Sequence, residues 1–340
     1  MQDMGYKKGQ NDSCALFTSL GMFIIDDNIY PKSWNRPSEL NVIGGGGSYS
    51  IVGARIIGGE RYGKQITGII DKGSDFPEEV EAEINNWDTG VKFRLDNSRL
   101  TTRGCNRYDE NNVRHFTYLN PKKRIELDDL LQEDLINSKC FHLICSFDRC
   151  NELVDGIKQY NAQAKIIYEP LPDDCIFENF EKMITVLPKI DIFTPNLNEG
   201  SQLLNNSEPT TIEGIKEITG KYVKLGCQRI ILRCGPLGCY IGSPQMSKHL
   251  PAYHQDQKNV IDVTGGGNSF CGGFMIGFYL TNDLVIAGIL GNIASGCIIE
   301  KLAMPTKIGN IWNGKSVEER LDWYLNHYHV EIERNKIDWL

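Results

Sequence analysis

The feature that most constrains this chain is a repeated alternation between short apolar runs of strand length and longer stretches with helical periodicity. From residue 125 onward, strand-type runs are predicted at 141–145, 165–168, 191–194 and 229–232, with helices at 151–160, 177–187 and 212–225. Upstream, an apolar run at 16–25, broken at Gly21 and ending at Asp26-Asp27, reads as a first strand, and another strand is predicted at 65–70. Apolar runs of this length suit strands buried on both faces of a parallel sheet. Two more helices are predicted at 269–279 and 284–302, the second capped by Asn282 or Asp283, and 317–328 reads as a terminal surface helix. Repeated strand–helix units imply an α/β fold, a mainly parallel sheet with helices on both faces. Ligands of such sheets bind at the carboxyl ends of the strands.

Between Gly90 and Leu119 the rhythm changes. Val91, Phe93 and Leu95 alternate with Lys92 and Arg94, and 115–119 is rich in strand formers. Period-two alternation predicts antiparallel strands with one wet face, a small β excursion from the main body. There is no internal repeat or linker composition, so 14–330 reads as one domain.

Charge narrows the function classes. The 340 residues carry 36 Lys and Arg against 44 Asp and Glu, a formal charge of −8. The short Lys122-Lys123-Arg124 is the one basic run. Direct nucleic-acid binding is therefore not expected, because it needs clustered positive charge. Small phosphorylated ligands need only a few local donors. The 11 cysteines are scattered through apolar segments without a C-x-x-C pair, and His142 near Cys140, Cys145 and Cys150 does not make a zinc-ligand spacing. Reduced cysteines in a cytoplasmic protein are expected. The start of the chain, 1–12, is polar, and no stretch reaches the ~18 apolar residues of a membrane span.

The most informative segment is Val260-Ile261-Asp262-Val263-Thr264-Gly265-Gly266-Gly267-Asn268-Ser269-Phe270. Its three glycines let the backbone turn tightly before an apolar helix, whose free N–H groups could hold a transferring phosphoryl group. The same glycines could equally serve close helix packing. Four glycines, Gly44 to Gly47, precede another helical pattern, but the dinucleotide pattern G-x-G-x-x-G fails at Ser50.

The 260–270 segment resembles the C-terminal signature of the PfkB (ribokinase-like) carbohydrate kinases, Asp-Thr-x-Gly-Ala-Gly-Asp before a helix of small and apolar residues. Asp262, Thr264, Gly265, Gly267, Phe270 and Gly273 fall where that pattern wants them. The resemblance implies an anion hole at Gly265, Gly266 and Gly267, with Asn268 where the family has the aspartate that takes the acceptor's proton. A carboxamide is essentially non-basic near neutral pH. Gly21 to Asp26 resembles the family's first strand, implying that Asp26 binds substrate hydroxyls. Gly44 to Tyr49 resembles the first signature, implying a substrate turn at Gly45 and Gly46, with Tyr49 where the family often has Asn. The segment 193–199 resembles the Pro-Asn-x-x-Glu motif, implying that Asn196 lies near the phosphates and Glu199 holds Mg²⁺ through water; a capping glutamate is the alternative. Residues 230–238 resemble the nucleotide-side Gly-x-x-Gly turn with Gly235 and Gly238. Arg233 stands where many members have Thr, to contact a phosphate or pair with a carboxylate. Asn292 resembles the asparagine near the adenine.

The resemblance runs from about Gly21 to Leu302 and implies a β lid, formed from about 28–42 and 90–119, that often mediates dimers. ATP and Mg²⁺ are the implied cofactors, a hydroxylated small molecule the implied substrate, and a homodimer through the lid an expectation. Within the family, the paired Gly-Gly-Gly-Gly-Ser-Tyr and Thr-Gly-Gly-Gly-Asn-Ser-Phe segments resemble a fungal branch, the maintenance-of-killer proteins linked to persistence of a double-stranded-RNA virus. That resemblance supplies no substrate. Two readings follow: an ATP-dependent kinase slowed by Asn268, or a non-catalytic nucleotide- or metabolite-binding protein acting through a protein partner.

Overall fold

The computed structural model describes residues 14–111 and 113–340, and the polar start of the chain lies outside the described residues. Strands β1 (Phe17–Ser19), β2 (Ile24–Ile29), β3 (Glu39–Gly44), β4 (Ile66–Lys72), β5 (Lys92–Leu95), β6 (Arg103–Tyr108) and β7 (Arg114–Tyr118) come first along the chain. Then follow β8 (Cys140–Cys145), β9 (Lys165–Pro170), β10 (Ile192–Phe193), β11 (Ile230–Arg233), β12 (Cys239–Ser243) and β13 (Met246–Leu250). A nine-stranded sheet runs β13-β12-β11-β10-β9-β8-β1-β4-β5, and a four-stranded sheet runs β3-β2-β6-β7. Its large sheet mostly parallel and its helices on both faces, the fold is α/β and ribokinase-like, as expected.

Alternate residues of the central strands enter different cores. Ile167 and Ile231 pack into one hydrophobic cluster, while Ile166, Tyr168, Ile230 and Leu232 pack into the other. Both faces of these strands are therefore dry, which is why they read as continuous apolar runs rather than alternating ones.

Three features of the fold differ from the sequence reading. The apolar run at 16–25 is two strands in two sheets: β1 pairs β4 and β8 in the large sheet, whereas β2 pairs β3 and β6 in the small one. The chain crosses between them at Gly21, where a Cβ would lie 2.4 Å from the backbone nitrogen of Gly47. The alternating run 91–95 forms β5, but it extends the large sheet parallel to β4 instead of joining the small sheet. Phe93 packs against the core while Leu95 is exposed, so the sequence alternation does not say which sheet the strand joins. The third is an antiparallel hairpin, β12–β13, absent from the sequence reading.

Four helices position the site: α1 (Gly46–Gly63), α2 (Leu197–Gln202), α3 (Gly266–Thr281) and α4 (Leu284–Ile299). Of the two expected caps for α4, Asp283 is used, its Oδ1 accepting from the amides of Val285 and Ile286 at 2.9 and 3.1 Å. Helices α1 and α3 cross backbone to backbone. A Cβ at Gly53 would lie 2.2 Å from the Ser269 carbonyl oxygen, and one at Gly272 would lie 2.0 Å from that of Ser50. This approach draws together the two glycine turns that open the helices. Gly53→Val should therefore lower unfolding stability by about 3 kcal/mol, read as a fall in denaturant midpoint; an unchanged midpoint would contradict the packing.

Candidate functional site

At the carboxyl ends of β10 and β11 a cavity of about 280 Å³ opens beside the start of α3. Asn196, Arg233, Gly235, Gly238 and Asn292, expected on the nucleotide side from three separate segments, all line it together with Gly266 and Gly267. Gly265 precedes α3 with φ 76°, a left-handed value that glycine adopts without strain. Gly266 and Gly267, the first residues of the sixteen-residue helix, line a cleft with Val263, Phe270 and Ile299, and the Gly266 amide donates to the Val263 carbonyl at 3.2 Å. Asn292 is buried and donates from Nδ2 to the Pro251 carbonyl at 2.9 Å.

Asn196 and Glu199 form a reciprocal cap on α2. Asn196 Oδ1 accepts from the Glu199 amide at 2.8 Å, and Glu199 Oε2 accepts from the Asn196 amide at 2.7 Å. Glu199 is buried, and the same Oε2 lies 3.5 Å from Arg233 Nη2. Burial pushes its carboxyl above the ordinary range, partly offset by Arg233. The capping alternative thus describes the geometry of Glu199, whereas the expected water-held Mg²⁺ has to compete with a guanidinium.

Arg233 pairs with carboxylates, one of its two expected fates. Its Nη1 lies 2.9 Å from Glu169 Oε1, and its Nε donates to the Thr194 carbonyl at 3.1 Å. A Cβ at Gly267 would fall 2.0 Å from Nη1, so the guanidinium rests directly on the first turn of α3.

Glu169, at the end of β9, joins these parts. Its Oε2 accepts from Asn268 Nδ2 at 2.9 Å and from His142 Nε2 at 3.1 Å, with Cys271 Sγ at 3.5 Å. An ionised carboxylate only accepts, so His142 Nε2 carries the hydrogen. The other ring nitrogen of His142 bonds Ser19 Oγ at 3.0 Å. Burial alone would raise the Glu169 pKa, but Arg233, His142 and Asn268 pull it down to about 2. His142, Glu169 and Cys271 bring metal-capable atoms within 4.8 Å of one another. The charge they face is Arg233, which disfavours a further cation there.

The residues expected to meet the acceptor lie at the start of α1 and in the small sheet. Asp26 sits in β2 of the small sheet, where Gly44 and Gly104 leave room for its carboxylate; Cβ atoms there would meet Oδ2 at 2.1 Å and Oδ1 at 2.5 Å. Gly45 turns the chain before α1 with φ 86°, and a Cβ at Gly46 would lie 3.1 Å from Asn268 Nδ2. Tyr49, expected beside the substrate turn, packs into the core. It is buried with its ring beneath Gly265, 2.1 Å from where a Cβ would stand, and burial, with the charges of Asp262 and Asp26, raises its phenol. Arg103 ties the small sheet together through Asp27 at 2.9 Å and Asn41 at 3.1 Å.

A model of the pfkB family carbohydrate kinases matches residues 93–306. The chain belongs to the pfkB family. Protein MAK32 of Saccharomyces cerevisiae is 38% identical, across 97% of this chain and 98% of that one, which places the chain in the fungal MAK32 branch. Among solved structures, ribokinase from Giardia lamblia superposes with TM-score 0.68 at 17% identity, covering 92% of this chain and 99% of that one. An Escherichia coli structure described as a ribokinase II in complex with ATP and Mg²⁺ superposes with TM-score 0.67 at 15% identity, covering 92% and 99%. These likenesses show the fold.

Sequence reasoning missed Glu169 and left His142 aside. The available signal was a lone glutamate before Pro170, one residue past a predicted strand and so at the carboxyl edge where pfkB-family and other α/β sheets bind ligands. Its partners stand 27 and 99 residues away, at His142 and Asn268.

Glu169 predicts an acid signature. Its folded pKa of about 2 lies below the ordinary 4.5, so its stabilising contribution is present above about pH 4.5 and is lost as pH falls toward 2. Glu169→Gln should cost about 3 kcal/mol near neutrality by leaving Arg233 unbalanced. Urea unfolding should show the gap between variant and wild type narrowing below about pH 4.5. A gap independent of pH would contradict the assignment.

Proposed function

We propose that the cavity binds ATP and that the protein transfers its terminal phosphoryl group, slowly, to a hydroxyl of a sugar-like small molecule held near Asp26, Gly45 and Gly46. The observation that carries this reading is the convergence of Asn196, Arg233, Gly235, Gly238 and Asn292 with Gly266 and Gly267 at the start of α3 on one cavity. Family membership supports a small hydroxylated acceptor. In the transfer, the acceptor oxygen bonds to phosphorus, the bond to the departing ADP oxygen breaks, and the hydroxyl proton has to leave.

That last step lacks a good recipient. Asn268 occupies the base position and donates its amide N–H to Glu169 at 2.9 Å. Glu169 is ionised, but it is buried and held at about 2, too acidic to take a hydroxyl proton effectively. A positioned base is worth about 10²–10⁴-fold, so transfer slowed by that factor is expected. The same locked amide favours the second reading, a nucleotide- or metabolite-binding protein without turnover that acts through a protein partner.

The donor set fits Mg²⁺ poorly. Glu199, which would hold it, shares Oε2 between the Asn196 amide and Arg233. A magnesium ion needs near-octahedral oxygen ligands and keeps its waters, and a fixed guanidinium beside the carboxylate repels it.

Calorimetry with ATP, alongside assays of phosphoryl transfer to a panel of sugars, tests the reading with Asn268→Asp beside the wild type. A carboxylate at 268 would face Glu169, and two close carboxylates raise one pKa, giving a better base near neutrality. Both forms should bind ATP, with turnover at least about 10²-fold faster in the aspartate form. Equal turnover would show that the proton leaves by another route, and absence of ATP binding would remove the reading.

A further inference from the structure

We infer that Arg233 supplies the positive charge that a divalent cation would otherwise bring to this cavity, so that a nucleoside triphosphate binds without Mg²⁺. The inference rests on the ATP reading above and deepens it.

The guanidinium is fixed on three sides. Nε donates to the Thr194 carbonyl at 3.1 Å, Nη1 meets Glu169 at 2.9 Å, and Nη2 lies 3.5 Å from Glu199. An arginine has five N–H donors in a planar fork, so two remain on a side chain that lines the cavity. Nη1 sits against the first turn of α3, because a Cβ at Gly267 would fall 2.0 Å from it. A phosphate drawn to the Gly267 amide, next to the Gly266 amide that donates to the Val263 carbonyl at 3.2 Å, would therefore meet the guanidinium as well. Charge-assisted bonds of this kind are the strong ones at phosphates.

The charge balance points the same way. Glu169 and Glu199 are both buried behind Arg233, which lines the cavity, and without its guanidinium the two acidic groups would stand unbalanced beside it. Such a pair calls for a dication to bridge it to a polyphosphate. With Arg233 in place, the cation is already there, covalently part of the chain and held by the same two carboxylates. A second, divalent charge beside it is repelled.

Titration calorimetry with ATP decides the matter, run once with excess Mg²⁺ and once with EDTA, on wild type, Arg233→Thr and Arg233→Lys. Wild type should bind ATP within about threefold equally in the two buffers. Arg233→Thr should lose about 10- to 100-fold in EDTA, the worth of a charged hydrogen bond, and should regain much of it with Mg²⁺. Arg233→Lys keeps the charge but not the fork, and should stay insensitive to Mg²⁺ while binding more weakly. Thermal unfolding checks that each variant is folded; if Arg233→Thr is not, the wild-type ratio and the lysine variant decide. Wild type binding more than about tenfold tighter with Mg²⁺ would overturn the inference and leave the ATP reading standing. No ATP binding by wild type in either buffer would overturn the reading itself and the inference with it.

Discussion

A carboxylate buried at the edge of a parallel sheet has to be met by donors, and at Glu169 this requirement organises the whole site. Its partners come from β8 through His142, from β11 through Arg233, and from α3 through Asn268 and Cys271. Breaking any one of them would leave a charge or a polar group unpaired in a dry place, which costs far more than the bond is worth when made. The network continues to Ser19 on β1 and to Glu199 on α2, so one line of polar contacts ties the ends of several strands to two helix starts. The orientation of Asn268, and with it the chemistry open to this protein, follows from that line.

The two sides of the site have diverged differently from the family pattern. Around the cavity, the glycine turns and the Asn196–Glu199 cap are in place, and the change is a cation at Arg233. At the start of α3, an amide stands where the family pattern has an aspartate, and Tyr49 fills space beneath Gly265. Arg233 and Asn268 both bond Glu169, so the two substitutions are physically one arrangement. A base at 268 beside Glu169 would add a second negative charge, and Arg233 is the group that would have to balance it.

Much of the fold was legible because strands buried on both faces leave uninterrupted apolar runs, as at β8, β9 and β11. The glycine segments were legible because tight backbone approach excludes side chains at fixed spacing. Other features leave no such mark. An apolar run does not say that its halves enter different sheets, which is why β1 and β2 read as one strand. Period-two alternation does not say whether a half-wet strand lies at a parallel edge or in an antiparallel ribbon, which misplaced β5. Glu169 was missed because its meaning lies wholly in partners distant along the chain, and Tyr49 because a ring packed under a glycine looks, in sequence, like a ring facing a ligand.

The most direct test of the account is a crystal structure with a non-hydrolysable ATP analogue and Mg²⁺ present. The account predicts the terminal phosphate within hydrogen-bond distance of the Gly267 amide and of Arg233, with the Glu169–Asn268 bond intact. A nucleotide bound elsewhere, or a metal ion coordinated at Glu199 with the Arg233 guanidinium displaced, would contradict it.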